Sequence, residues 1–318
     1  VAPGITWWLS RPLVRPQSRL SQDQRVFLRT LARRTWAFFD TFVGPEDNWL
    51  PPDNVQTQPG PAVAHRTSPT NLGMALLANL VGHDFGYLPI VRLLERTTKA
   101  LRSMASLERH RGHFYNWYDT RTLQPLLPKY VSTVDSGNLA GHLLTLRVGL
   151  LALPDSPILS RRAFEGLADT LGVLGESRGD GVSAPYTELR RELDSAIAAG
   201  APTLGDARRI LDRLATLAEV STSDPGAVAA PTNTAAGQDW AHVLLDQCQA
   251  ARDEIALLAP WTSLGAPPAG LEGLLPHARV PTLHEIAELE DPALPRIGRA
   301  LTTESDGAAR AWLLALRD

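Results

Sequence analysis

The sequence contains almost no cysteine and no long apolar run, and each absence excludes a class of protein. Cys248 is the single cysteine among 318 residues, which excludes an intrachain disulfide framework and a thiolate metal cage. The sequence has no apolar run of about 18 residues, so it contains no candidate membrane span. Its 44% hydrophobic and 20% charged side chains are typical of a globular protein and exclude a disordered tail.

The motifs of several enzyme classes are also missing. There is no Walker loop, no dinucleotide-binding glycine fingerprint and no G-x-S-x-G nucleophile motif. His110 and His113 form an H-x-x-H pair, but Gly112 between them opposes a regular helix and no third ligand follows at a useful spacing. We therefore expect no metal and no cofactor. The formal net charge of −3 argues against a nucleic-acid partner.

Charge and aromatic residues are unevenly divided along the chain. Residues 1–130 carry 16 Lys and Arg against 9 Asp and Glu, whereas residues 131–318 carry 15 against 25. Fifteen of the 20 aromatic residues lie in the first part. The first part is therefore basic and aromatic, while the second has the Ala, Leu and acidic composition of plain helices.

Residues 1–20 have features of a membrane-proximal segment. Trp7 and Trp8 resemble the aromatic belt at a bilayer interface. The arginines that follow resemble the cytoplasmic flank of a membrane span: Arg11, Arg15, Arg19, Arg25, Arg29, Arg33 and Arg34. The alternative is a packed tryptophan pair beside a solvated arginine face. Because the sequence begins without Met and ends in an apolar run at 308–317, we expect a piece of a longer protein.

Capping signals and hydrophobic spacing predict helices along most of the chain. Ser21 with Gln24 predicts a helix that Val43-Gly44-Pro45 ends, and residues 45–67, with five prolines, predict a long ordered loop. Residues 110–134 predict a loop with a short strand pair. Further helices are predicted to begin at Ser68-Pro69, near 88, at Asp135-Ser136, at Ser156-Pro157, near 185, at Thr203, near 236 and at Thr282. The predicted fold is all-α, a helical array with long aromatic-rich loops.

Three loops combine flat rings with short polar side chains. A sugar presents an apolar C–H face and a rim of hydroxyls, so its site needs aromatic platforms beside amides, carboxylates and imidazoles. Residues 115–119, residues 47–54 with 65–67, and residues 130–138 each supply this mixture. The alternative is a set of packed aromatic loops, with Asp135 acting only as a helix N-cap. Asp119 and Asp135 are also available as a glycosidase pair, but nothing in the sequence shows that they face each other.

Five segments together resemble the central region of bacterial cyclic β-1,2-glucan synthases. The resemblance covers about residues 5–147 and returns faintly at 310–317. The segments that carry it are 32–39 (ARRTWAFF), 44–54 (GPEDNWLPPDN), 64–71 (AHRTSPTN), 112–120 (GHFYNWYDT) and 132–144 (STVDSGNLAGHLL).

The resemblance implies a cytoplasmic central domain of a large inner-membrane protein, similar to an α/α toroid, that closes linear β-1,2-glucan into a ring by transglycosylation. It also implies that the acid/base and nucleophile carboxylates lie in motifs beyond residue 318. Three ranges follow as expected domain parts: a membrane-proximal segment (1–20), the first helices and sugar-groove loops of the cyclising domain (21–147), and its variable helical part, truncated at the C-terminus (148–318).

We therefore expect a β-1,2-glucan-binding part of the cyclising domain, with no catalytic residue of its own and with β-1,2-glucan and the remaining domains of the same polypeptide as partners. Two alternatives stay open: a non-enzymatic helical scaffold that docks the neighbouring domains, and a self-sufficient glycosidase that uses Asp119 and Asp135. The candidate stacking platforms are Trp49, Tyr115, Trp117 and Tyr118, and the candidate hydrogen-bonding residues are His65, Arg66, Asn116, Asp119 and Asp135.

Overall fold

Helices dominate the structure, a computed structural model that describes residues 2–10, 20–60, 62–178, 183–199, 203–223, 239–274 and 279–317. The helices of these ranges are α1 (Ala2–Leu9), α2 (Gln22–Phe42), α3 (Pro69–Asp84), α4 (Ile90–Ser106), α5 (Thr133–Ala152), α6 (Arg161–Arg178), α7 (Ala184–Ala199), α8 (Leu204–Thr222), α9 (Trp240–Leu258), α10 (Leu283–Ala287), α11 (Glu290–Thr303) and α12 (Gly307–Arg317). The predicted helical fold is confirmed.

Short antiparallel strand pairs occur in the loops that surround α3 and α4. The strands of the described residues are β1 (Val55–Gln56), β2 (Ala62–Val63), β3 (Arg66–Thr67), β4 (Arg109–His110), β5 (His113–Phe114) and β6 (Tyr118–Asp119). β1 pairs with β2 and β4 pairs with β5 within their own loops, whereas β3 pairs with β6 across two loops. The β3–β6 pair therefore joins the loop before α3 to the loop before α5.

Local caps set where several helices begin. The Ser21 hydroxyl accepts the Gln24 backbone N–H at 3.2 Å, and the Gln24 side chain accepts the Ser21 N–H at 2.9 Å. The second predicted capping box, between Thr282 and Glu285, is also present at the start of α10. The predicted cap at Thr203 is present at the start of α8. These three predictions are confirmed. A cap can be predicted from sequence because it depends only on residues of the same turn.

Two predicted helix starts are wrong. Asp135 does not cap α5; Ser132 is the N-cap, and its hydroxyl accepts the Asp135 N–H at 3.1 Å, so Asp135 lies inside the first turn. Ser156-Pro157 does not open a helix, because Pro157 forms a β-bridge with Thr282 and α6 begins only afterwards. The predicted start near 236 and the arginines at 11, 15 and 19 lie outside the described residues.

Helices α3 and α5 run parallel and in close contact. At their N-terminal ends the Thr70 hydroxyl donates to Asp135 Oδ1 at 2.6 Å, and near their C-terminal ends Gly149 lies against the side chain of Leu80. A methyl group on Gly149, or on Gly73 nearer the N-terminal ends, would collide with a side chain of the other helix. Glycine at these two positions therefore permits the close approach of the helices.

The second half of the chain forms a four-helix arrangement in which α6 contacts α7 and α9, and α8 contacts α7 and α9. Helix α2 packs against α6 and links this bundle to the first half. Arg33 on α2 is 1% exposed; its Nε donates to the Thr170 hydroxyl at 2.7 Å. Its guanidinium lies between the rings of Tyr87 and Trp240, at 5.2 and 5.0 Å from the ring centroids. The aromatic faces stabilise a buried cation at the junction of the halves.

The start of α4 is capped from a distant helix. Its N-cap is Pro89, whose side chain has no acceptor, and Glu254 of α9 instead accepts the Val91 N–H at 2.7 Å. Glu254 is 7% exposed and lines a cavity of about 540 Å³ between the two halves. Burial raises its pKa to about 7, although the backbone N–H groups of α4 oppose that rise.

Several helix faces remain uncovered in the described structure. On α5, Val134, Leu144, Val148 and Leu151 are each more than half exposed. On α2, Phe27 and its neighbours Val26, Leu28 and Leu31 are exposed as well. In the part of the chain that the structure describes, every helix is too short or too polar to cross a bilayer.

We expect the Glu254→Gln substitution to remove one component of the pH dependence of stability. The folded-state pKa of about 7 lies above the ordinary value of 4.5, so between these pH values the folded chain binds more protons than the unfolded chain. The free energy of unfolding of the wild type therefore falls as pH rises through this window, by about 2–3 kcal/mol from this group. Urea unfolding measures the free energy of unfolding at pH 5 and pH 8. Relative to the wild type, the free energy of unfolding of Glu254→Gln should be higher at pH 8 than at pH 5.

The control is Glu272→Gln, the same change at an exposed position. If the difference between Glu254→Gln and wild type were the same at both pH values, the carboxyl would not be titrating inside the fold.

Candidate functional site

The loops before α3 and α5 meet beside the N-terminal ends of these two helices. Strand β3 pairs with β6 in the register Arg66 to Asp119 and Thr67 to Tyr118. This pairing brings Arg66 next to Trp117, which directly precedes β6, and the guanidinium carbon of Arg66 lies 5.0 Å from the centroid of the Trp117 ring. A cation–aromatic contact therefore stands where the two loops join.

Asn116 connects Trp117 to helix α5. The residue is 6% exposed, and its amide is assigned with the nitrogen toward Asp135, where it donates to Oδ2 at 2.9 Å. In this orientation its oxygen accepts hydrogen bonds from the Trp117 Nε1–H at 2.8 Å and from the Tyr130 hydroxyl at 2.7 Å. The buried amide thus fixes the Trp117 ring relative to the first turn of α5.

Asp135 is held as a carboxylate by its neighbours. Burial alone would raise its pKa, but hydrogen bonds from Ser132, Thr70 and Ser68 outweigh burial and the pKa is lowered. The Thr70 hydroxyl in turn accepts from Asn138 Nδ2 at 3.1 Å. Asp135 is consequently a hydrogen-bond acceptor at neutral pH, and its lowered pKa does not suit it to be a general acid.

Asp53 holds Arg66 from the other side. Arg66 Nε and Nη2 both donate to Asp53 Oδ2, at 3.2 and 3.0 Å, and Asn71 Nδ2 donates to Asp53 Oδ1 at 3.3 Å. A connected set of polar contacts therefore extends from the loop before α3 to the first turns of α3 and α5. We call this set the polar–aromatic cluster, and its members are Asp53, Arg66, Thr70, Asn71, Asn116, Trp117, Tyr130, Asp135 and Asn138.

Four of the nine predicted site residues belong to this cluster, namely Arg66, Asn116, Trp117 and Asp135.

Trp49 has its ring contacts elsewhere, with Lys99 Nζ at 4.3 Å and Arg96 Cζ at 5.7 Å from the ring centroid. Both cations lie on α4, so Trp49 anchors the loop before α3 to that helix.

His65 lies in a buried polar contact. Its Nδ1 is 2.8 Å from Asp47 Oδ1, which assigns the ring hydrogen to Nδ1, and the same oxygen accepts the Thr120 hydroxyl. Asp47 is 6% exposed and Thr120 is fully buried. This contact fixes the turn at Pro45–Asp47 to the residues around β3 and β6.

Tyr118 is not a stacking platform. Its side chain is fully buried; its hydroxyl donates to the Glu108 carbonyl at 2.6 Å and accepts the Tyr115 N–H at 2.7 Å. Burial raises the pKa of the phenol. Tyr115 is half-buried and lies beside Lys129, whose Nζ is 5.3 Å from its ring centroid, so its ring contacts lie outside the cluster.

Asp119 stabilises a turn. Its Oδ1 accepts the backbone N–H groups of Arg121 and Thr122 at 2.9 and 2.7 Å. Burial would raise its pKa, but these hydrogen bonds outweigh burial and the pKa is lowered. Both carboxyl groups of the glycosidase alternative are therefore ionised at neutral pH, which leaves that pair without a proton donor.

Five cluster members are not among the predicted site residues: Asp53, Thr70, Asn71, Tyr130 and Asn138. Asp53, Tyr130 and Asn138 lie in loops whose composition predicts sugar binding, but the sequence predicts no individual role for them. Asn138 was detectable, because a residue three positions after Asp135 on a helix lies on the same face.

Metal-binding side chains do not gather in the described residues, where no group of three or more His, Cys, Asp or Glu could hold an ion. His110 and His113 lie opposite each other in the β4–β5 hairpin, and both are exposed.

The fold and the cluster define a mostly helical protein with aromatic, amide and carboxylate groups gathered at the N-terminal ends of two parallel helices. The chain is similar to the cyclic β-(1,2)-glucan synthase NdvB of Rhizobium meliloti (strain 1021), with 38% identity over 184 residues. The match covers 55% of this chain and 6% of the relative's length. No family model matches the chain. The resemblance drawn from the sequence motifs is confirmed, and the chain is related to a region of such a synthase.

We expect the Asp47→Ala substitution to destabilise the fold by about 2–4 kcal/mol, because it leaves the buried Thr120 hydroxyl and the His65 ring hydrogen without their acceptor. Urea unfolding followed by circular dichroism measures the change. The control is Asp155→Ala, at a carboxylate that is 83% exposed. A loss below about 0.5 kcal/mol for Asp47→Ala, the size of an ordinary surface change, would contradict a structural role for this contact.

Proposed function

We propose that the chain binds β-1,2-glucan at the polar–aromatic cluster, as part of the domain that closes linear β-1,2-glucan into a ring by transglycosylation. The observation that carries the proposal is the contact chain Arg66–Trp117–Asn116–Asp135, which joins two loops and a helix end around one partly exposed indole. The class of glucan is that for which the related synthase is named. Flat rings beside amide and carboxylate groups are the chemistry that a sugar's C–H face and hydroxyl rim require.

The chain's part in this function is binding and orientation. The pKa values of Asp119 and Asp135 are both lowered, so neither supplies the proton that a glycosidic leaving group needs. The proposal therefore assigns no catalytic residue to this chain, and the self-sufficient glycosidase gains no support.

The surroundings of the cluster support a toroid-like domain. In such a domain, neighbouring inner helices run parallel and are connected through an outer helix, and α3, α4 and α5 have this order. The exposed apolar residues of α5 and α2 are suited to contacts with further helices or with other domains of the same polypeptide.

The hydrophobic clusters support a division of the domain between residues 153 and 158, just after α5 and a few residues beyond the predicted boundary at 147. Two clusters are built from residues 36–153, and the largest is built from residues 158–313 with Ala37. We propose residues 21–147 as the sugar-groove part and 148–318 as the variable helical part. For residues 1–20 we propose a membrane-proximal position at the cytoplasmic face of the inner membrane, supported by the exposed Trp8 in a helix without charged residues.

We expect purified chain to bind linear β-1,2-glucan with saturable heat in calorimetry and a saturable change in tryptophan fluorescence. Trp117→Ala should weaken binding by at least about tenfold, because it removes the central ring of the cluster and the partner of Asn116. Trp8→Ala is the matched control, since Trp8 is 67% exposed on α1. An absence of saturable binding by the wild type, or equal affinities for Trp117→Ala and wild type, would defeat the proposal.

Asp135→Asn should weaken glucan binding by about threefold to tenfold, because the change removes the charge that strengthens the Asn116 and Thr70 hydrogen bonds. The far-ultraviolet circular dichroism should remain that of the wild type, since the Ser132 cap of α5 is retained. The scaffold alternative predicts a different result. The wild-type chain would bind the neighbouring domains but not glucan, and Trp117→Ala and Asp135→Asn would leave the binding of those domains unchanged.

A further inference from the structure

Arg66 covers one face of the Trp117 ring. The guanidinium carbon stands 5.0 Å from the ring centroid, so a sugar ring cannot stack directly on that face while Arg66 remains there. The Arg66 side chain is 51% exposed, and its outer surface is therefore the one that a ligand meets. This geometry gives Arg66 a more direct place in the proposed sugar site than the ring beneath it.

Asp53 fixes which edge of the guanidinium is available. Nε and Nη2 form the side edge of the group, and both donate to Asp53 Oδ2. Among the described residues Nη1 makes no hydrogen bond, so the end edge formed by Nη1 and Nη2 still has N–H groups to donate. These N–H groups are parallel and lie in one plane, a geometry suited to two neighbouring oxygen acceptors.

Asp53 itself is held by its surroundings. Its backbone N–H donates to the Ala64 carbonyl at 3.1 Å, Asn71 donates to Oδ1, and Asn54 Nδ2 donates to Oδ2 at 3.0 Å. Its side chain is 20% exposed, much less than that of Arg66. Asp53 is thus placed behind Arg66, where it orients the guanidinium without facing a ligand.

We propose that Asp53 is a positioning residue that holds Arg66 over the Trp117 ring, so that the end edge of the guanidinium donates to the adjacent 3- and 4-hydroxyls of a glucose unit. This inference rests on the proposed glucan-binding function. In a β-1,2-linked chain every unit keeps both hydroxyls, whereas a β-1,3-linked chain uses the 3-hydroxyl in each internal linkage. The Asp53–Arg66 pair therefore favours the β-1,2-linked chain over the β-1,3-linked one.

The test compares binding of linear β-1,2-glucan and β-1,3-glucan to the full chain by calorimetry. Wild type should prefer the β-1,2-linked glucan, and Asp53→Asn should bind it about fivefold to tenfold more weakly with most of the preference lost. Arg66→Lys should behave in the same way, because lysine keeps the charge but has neither the plane nor the paired N–H groups. Asp53→Glu should restore part of the preference, since it keeps a carboxylate.

The matched control is Asp246→Asn, which breaks another Arg–Asp pair, the one that joins Arg92 of α4 to α9 with N–O distances of 2.7 and 3.1 Å. It should leave both affinities unchanged. Thermal melting of each variant separates lost orientation from lost folding, and Arg66→Lys tests the same edge if Asp53→Asn does not fold.

The outcomes distinguish the two proposals. If the wild type binds no glucan, the proposed function fails. If the wild type binds β-1,2-glucan but folded Asp53→Asn and Arg66→Lys keep its affinity and its preference, the positioning role of Asp53 fails while the proposed function stands.

Discussion

The parallel contact between α3 and α5 is the constraint on which the cluster depends. The Thr70–Asp135 hydrogen bond ties the first turns of the two helices, and Gly73 and Gly149 let their axes approach. Because both helices point the same way, the loops that precede them arrive at the same end, where β3 and β6 pair. A larger residue at either glycine would separate the helices and, with them, the two sides of the cluster.

The loops are held in place by buried polar contacts. An intrachain disulfide cannot do this, because the sequence has a single cysteine. Asp47 joins two loops through His65 and Thr120, and Tyr118 closes the segment from Glu108 to Tyr115. Such contacts are directional and strongly favour one arrangement, because a buried donor left without an acceptor is costly. Several aromatic and polar residues that look like ligand-binding groups in the sequence therefore serve the loops themselves.

The sequence predicts helices well where the signal is local. The capping boxes at Ser21 and Thr282 lie within one turn, so a short window contains all their determinants. The start at Ser156-Pro157 was mispredicted because the backbone around Pro157 pairs with Thr282, far along the chain. The predicted start of α5 is three residues too late, because Ser132 is as good an N-cap as Asp135 and hydrophobic spacing does not choose between them.

Site membership was harder to predict than helix position. Trp117 and Tyr118 are adjacent and chemically alike, but Trp117, just before β6, contacts Arg66, whereas Tyr118, the first residue of β6, lies in the core. His65 and Arg66 separate for the same reason, one toward Asp47 and the other toward Asp53. Composition identifies the loops that form the cluster, while the alternation of side chains in the short strands and at the residues next to them decides which residues of each loop belong to it.

The ionisation of the cluster fits binding better than bond cleavage. A carboxyl that donates a proton to a leaving group needs surroundings that favour its neutral form, as burial without hydrogen-bond donors does. Asp135 is surrounded by hydrogen-bond donors, which lower its pKa. Among the described residues, the strongly buried glutamate with a raised pKa is Glu254. Its carboxylate caps α4 near the C-terminal ends of α3 and α5, the ends opposite the cluster. The carboxyl of Glu254 is thus separated in space from the polar–aromatic cluster.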